Sequence, residues 1–147
     1  LGAKTLLTVV AAHPDRFRSL IVAGVGANLF RSDDMSVVVD AVRSGDDGDN
    51  PALGYFSGLA QLPGNDREAL AACMANGGGR VSVEELAAVA CPVLVVLGEH
   101  DFVAPADQLI AALPDARLVT LPRTDHARTP KSFDFIDAAL GFLKAQD

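Results

Sequence analysis

Three short, nearly unbroken apolar runs constrain this chain more than any other feature: SLIVAGVGA, CPVLVVLGEHD and ARLVTLPRTDH. A strand with one face in water alternates apolar and polar residues. A run without alternation is what a strand covered on both faces of a parallel sheet requires. Strands are therefore predicted at residues 19–23, at 93–97 with Gly98 as the exit, and at about 117–121. Helical patterns separate them. Ala3, Leu6, Leu7, Val10 and Ala11 fall on one helix face, closed by Pro14 and Asp15. PADQLIAALPD supplies a helix with Leu109, Ile110 and Leu113 facing inward. Thr129 and Pro130 read as the N-cap and first residue of a closing helix, with Phe133, Ile136, Leu140 and Leu143 as its apolar stripe. Alternation of this kind implies an α/β architecture, a parallel sheet with helices on its faces.

The middle of the chain, residues 28–90, has a different texture and no convincing strand. Ser32 is placed to cap a helix carrying Met35, Val38, Val39 and Val42. Asn65 with Glu68, and Ser82 with Glu85, have capping-box spacing before DREALAACMA and VEELAAVA. The connecting stretches SGDDGDNPALG and NGGGR are polar and glycine-rich, as mobile linkers are. This helical excursion reads as a cap or lid over one edge of the sheet, inserted between core segments 1–27 and 91–147. The plainer reading is a helical layer that touches no ligand.

Composition narrows the classes of function. The 147 residues carry a net charge of −7, with a local cluster at Asp46, Asp47 and Asp49. Such a surface repels phosphate backbones and anionic bilayers, so neither nucleic acid nor a membrane is an expected partner. No apolar run approaches the roughly 20 residues that span a bilayer. Two cysteines, Cys73 and Cys91, are too few for a disulfide scaffold and lack metal-ligand spacing. Free thiols in a reducing, cytoplasmic setting are the expectation. No cofactor or metal is expected.

Three histidines limit the search for chemistry. His13 stands at a helix C-terminus, where an imidazole suits the helix dipole, and reads as structural. His100 lies between Glu99 and Asp101; three consecutive residues in a turn diverge, and no second cluster completes a metal site. His126 follows the third strand on its C-terminal side, the end where open α/β sheets bind ligands. Asp101 occupies the equivalent place after the second strand. Neighbouring parallel strands would bring this carboxylate and imidazole to one rim, although they are 25 positions apart. A carboxylate on one ring nitrogen fixes the tautomer and leaves the other as a general base. Asp125 is adjacent to His126 in sequence, but neighbouring side chains on extended backbone diverge. The bland readings are a solvated His126 and a helix-capping Asp101.

AAHPDRFRSLIVAG, CPVLVVLGEHDFVAP and LPDARLVTLPRTDHARTP together resemble the later blocks of the α/β-hydrolase superfamily. The order is the family's: post-nucleophile helix, strand, helical cap, acid strand, histidine loop, final helix. The resemblance covers nearly the whole chain, weakly in the cap and best around Asp101 and His126, and it implies that these are the family's acid and base. In the family the nucleophile sits in G-x-S-x-G, a strand-to-helix elbow. Leu1 and Gly2 match the two residues after that serine in a common form of the elbow. The resemblance thus implies a chain that starts one residue beyond its nucleophile, with the Leu1 N–H as half of the oxyanion hole. No G-x-S-x-G occurs in the 147 residues. Ser57 in GYFSG is one place late and lies in the cap, Cys73 is on a predicted cap helix, and Cys91 begins a buried strand.

The family implied is an esterase- or lactonase-like carboxylic ester hydrolase, inactive as this chain alone, with a small ester or lactone as substrate. C–C bond hydrolysis and cofactor-free haloperoxidation use the same frame, and a fold does not choose among them. A truncated, non-catalytic binding module is the alternative from another class. The missing neighbour of the first strand implies an open apolar edge, so self-association or pairing with an N-terminal half is expected. Seven Phe, one Tyr and no Trp point to an aliphatic-lined pocket.

Overall fold

All three apolar runs are strands, and they pair in parallel. A computed structural model describes residues 1–31, 34–77 and 80–146. In chain order its elements are α1 (Gly2–Ala12), β1 (Leu20–Ala23), α2 (Met35–Ser44), α3 (Pro51–Ala60), α4 (Arg67–Asn76), α5 (Val83–Ala87), β2 (Val93–Gly98), α6 (Asp107–Ala112), β3 (Ala116–Leu121) and α7 (Phe133–Lys144). The sheet order is β1-β2-β3, with Leu20 beside Val93 and Val93 beside Ala116. Among the described residues, no helix is long and apolar enough to cross a membrane.

The chain divides into two compact units, residues 1–31 with 81–147 and residues 32–80. In the first, every residue of β2 is buried, and successive side chains serve opposite faces. Val93, Val95 and Leu97 share a core with Leu7 and Val10 of α1, Leu86 of α5, and Leu109 and Ala112 of α6. Leu94 and Val96 point the other way, joining Leu121 and Phe142 of α7. This two-sided burial accounts for the unbroken run of β2; β1 alternates buried and half-buried residues and β3 buries only Leu121, so the two-sided burial read from their runs does not hold. Residues 28–31 and 81–90, read from the sequence with the insertion, thus fall in the sheet-bearing unit. The Ser82–Glu85 capping box is present, each side chain bonded to the other residue's N–H.

The second unit is a three-helix cluster around Val39, Val42, Ala60, Ala71 and Met74. An Arg43–Glu68 ion pair at 3.0 Å ties α2 to α4 on the surface. Three details differ from the sequence reading. Asp34 caps α2 by accepting from the Ser36 N–H, while Ser32 lies outside the described residues. Asp66, not Asn65, caps α4, accepting from Glu68 and Ala69. The stretch read as linker contains the start of α3, because Asn50 caps it and Pro51 suits its first turn.

Helix α7 also departs from expectation. It starts at Phe133 rather than behind Thr129, whose hydroxyl donates to the Asp125 carbonyl within a 3-10 turn, Thr129–Lys131. Its expected stripe of Phe133, Ile136, Leu140 and Leu143 is exposed. Phe135, Ala138 and Phe142 face the sheet instead, and the Arg117 guanidinium lies over the Phe142 ring at 5.4 Å. Both stripes lie on one broad apolar arc flanking Asp134, Asp137 and Lys144, so periodicity could not choose between them. Phe142→Ala should therefore cost about 3–5 kcal/mol of stability, against less than about 1 kcal/mol for Leu140→Ala. Denaturant unfolding of both variants checks this, and equal costs would contradict the orientation of α7.

Candidate active site

Parallel strands present their C-terminal ends along one rim, and all three contribute here. Beyond β2, the chain turns at Glu99 and His100, with the Asp101 N–H donating to the Gly98 carbonyl. Asp101 is 5 % exposed, and its Oδ1 accepts from the Val103 N–H at 3.1 Å. This local turn fixes the carboxylate before any longer-range contact is made. Beyond β3, the Asp125 carboxylate accepts from the Arg128 N–H and its carbonyl from the Thr129 N–H, which folds the loop carrying His126.

The two loops meet at the residues expected from their spacing. His126 Nδ1 lies 2.9 Å from Asp101 Oδ1 and 3.0 Å from Oδ2. An ionised carboxylate can only accept, so Nδ1 carries the proton in this contact and the neutral ring has its lone pair on Nε2. The Asp101 side chain is fully shielded from solvent, while the imidazole is about one-fifth exposed. Burial would penalise an unpartnered carboxylate heavily; the imidazole and the Val103 N–H offset that penalty.

Two further groups hold the ring, and neither was singled out in the sequence. Phe102 stacks on His126, with centroids 4.6 Å apart and planes 26° from parallel. Gly24, directly after β1, passes beneath the imidazole. A Cβ there would lie 2.8 Å from Cε1 and 3.2 Å from Nδ1, and its φ of +63° already disfavours other residues. The only sequence signals were adjacency to Asp101 and position at a strand exit. Contact between loops far apart in sequence has no local pattern.

The other candidates stand as follows. Asp125 is engaged with its own loop and with Arg128. His13 is exposed at the end of α1, and His100 is exposed on the turn. Leu1 is exposed at the start of α1, where its carbonyl accepts from the Thr5 N–H. Ser57 is buried in α3, its hydroxyl donating to the Gly45 carbonyl at 3.1 Å. Cys73 is exposed; Cys91 is buried, and burial pushes its thiol pKa up, away from a reactive thiolate. The Asp101–His126 pair thus stands without an adjacent serine nucleophile among the described residues.

No protein-family model matches the chain, and no curated protein sequence matches it. Solved structures do. A thermophilic esterase from Thermogutta terrifontis superposes with a TM-score of 0.71 at 19% identity, over 99% of this chain and 62% of its own. A bromoperoxidase from Bacillus anthracis gives 0.72 at 18%, over 97% and 64%. The 2-hydroxy-6-oxo-6-phenylhexa-2,4-dienoate hydrolase of Rhodococcus sp. strain RHA1 gives 0.63 at 19%, over 95% and 59%. The chain thus spans about three-fifths of the length of each. Parallel strands in this order, flanking helices and these superpositions agree on one architecture: the chain has the α/β-hydrolase fold.

Proposed function

We propose that Asp101 and His126 are the acid and base of a Ser-His-Asp hydrolase acting on carboxylic esters or lactones. The serine belongs to polypeptide outside these 147 residues. One observation carries the reading: a buried carboxylate holding Nδ1 of a partly exposed imidazole at the rim of a parallel sheet. That geometry is what general-base catalysis needs, because it sets the tautomer and stabilises the imidazolium that forms.

In the reaction, Nε2 takes the proton as the serine Oγ bonds to the acyl carbon. The oxyanion of the tetrahedral intermediate is held by backbone N–H groups, the Leu1 N–H among them. His126 then returns the proton to the departing alkoxide as the ester C–O bond breaks. Water, activated by the same nitrogen, releases the acid and regenerates the serine. On this reading the helical cluster of α2, α3 and α4 is the cap that selects the acyl group. The free thiols of Cys73 and Cys91 suit a cytoplasmic setting. C–C hydrolysis and haloperoxidation would use the same base on a different substrate, and the similar structures include a dienoate hydrolase and a bromoperoxidase.

The chain alone should give neither burst nor turnover with nitrophenyl acetate above the background of His126→Ala, and a serine-directed phosphonate should not label it. Stoichiometric labelling of Ser57 would overturn the assignment. Joining Leu1 to a polypeptide that ends in the G-x-S of the elbow should create activity that His126→Ala lowers by about 10³-fold or more.

The same reading assigns a partner to β1. Within the described residues it pairs with β2 on one side only, although Leu20 and Val22 are buried core residues. Its open edge is proposed to take a further strand, from the polypeptide carrying the serine or from a second copy. Sedimentation at micromolar concentration should show self-association or a bound partner. A sharp monomer that unfolds cooperatively would contradict this.

A further inference from the structure

Glu99 was weighed above only as a metal ligand and then set aside, yet it has a specific contact. Its Oε2 accepts a hydrogen bond from the Arg123 N–H at 2.8 Å, joining the turn after β2 to the loop after β3. Arg123 has a φ of +52°, a left-handed conformation that a residue with a Cβ adopts at a cost. Three residues further along the same loop stands His126.

We infer that Glu99 is a positioning residue that holds the Arg123 turn in its left-handed form and thereby sets the His126 loop against Asp101. The inference rests on the catalytic reading of that pair. The surrounding bonds explain why one carboxylate matters. Backbone contacts between the two loops are the Glu99 N–H to the Leu121 carbonyl and the His100 N–H to the Thr124 carbonyl, each 2.9 Å. They grip the loop at residues 121 and 124 and leave the peptide at Arg123 between them. Glu99 supplies the acceptor at that position. Gly98 allows the close approach, since a Cβ there would collide with the Thr124 carbonyl oxygen.

Glu99 and Asp101 therefore act from one turn on one neighbouring loop. The first binds its backbone near the left-handed bend, and the second binds the imidazole that the bend delivers. Both carboxylates reach the loop after β3, Glu99 from an exposed position and Asp101 from a buried one. A hydrogen bond from a neutral N–H to a carboxylate is among the stronger kinds, and its loss frees a backbone conformation that has its own cost. Glycine adopts positive φ without that cost.

The test compares the full chain with Glu99→Ala, Glu99→Gln and the double variant Glu99→Ala/Arg123→Gly by NMR. Two signals are read: exchange of the residue 123 amide, and the low-field His126 Nδ1 proton bonded to Asp101. Glu99→Ala should speed amide exchange at residue 123 by about tenfold or more and broaden or shift the His126 proton. Glu99→Gln, which keeps a carbonyl acceptor, should preserve both signals. Arg123→Gly should restore the His126 signal in the Ala background, because the turn no longer needs holding. A side chain that only adds stability would shift the unfolding midpoint and leave the His126 proton unchanged. An unchanged His126 proton in Glu99→Ala overturns the clamp alone. Its absence from the wild-type spectrum overturns the clamp and the Asp101 pairing together.

Discussion

Burial of β2 on both faces is the constraint on which the rest of the sheet-bearing unit depends. Its six residues leave no polar side chain to water, so each face needs a cover. α1, α5 and α6 cover one, and α7 covers the other. Its backbone groups need partners too, and the parallel neighbours β1 and β3 provide them on both sides. A strand so enclosed is the most rigid place from which to launch a functional loop. The chain leaves it at Gly98 and reaches Asp101 within three residues.

The Asp101 carboxylate transmits that rigidity to the His126 ring. A shielded carboxylate is stable only when hydrogen-bonded, and its partners are the Val103 N–H and the His126 ring. Desolvation therefore favours the closed pairing over a solvated imidazole. Gly24 beneath the ring and Phe102 against it limit the remaining freedom of the imidazole. Each of the three strands thus contributes one boundary of the His126 position, which explains why a functional loop can be well defined although loops carry little structure of their own.

The sheet and the pair were legible in the sequence for a common reason. The apolar runs marked where the strands lie, although only β2 is buried on both faces, and parallel strands share a rim at their exits. That rim made Asp101 and His126 candidates, and the resemblance to the α/β-hydrolase blocks singled them out. Other features had no such signal. Helix α7 has a broad apolar arc beside its Asp134, Asp137 and Lys144 side, so Phe133, Ile136, Leu140 and Leu143 looked like a core stripe while Phe142 is the buried residue. The start of α3 was hidden among the glycines and aspartates that precede it. Phe102, Gly24 and Glu99 act through contacts between loops separated by 24 to 102 positions. Such convergence exists only in three dimensions.

Nitrogen-15 NMR of the neutral imidazole tests whether Asp101 holds the proton on His126 Nδ1. Long-range proton–nitrogen correlations distinguish the two tautomers of His126 without any substrate or nucleophile. The wild-type chain should carry the proton on Nδ1. Asp101→Asn, which can present an amide N–H to the ring, should move a large share of the proton to Nε2. A wild-type ring protonated mainly on Nε2, or a tautomer indifferent to Asp101→Asn, would contradict the account.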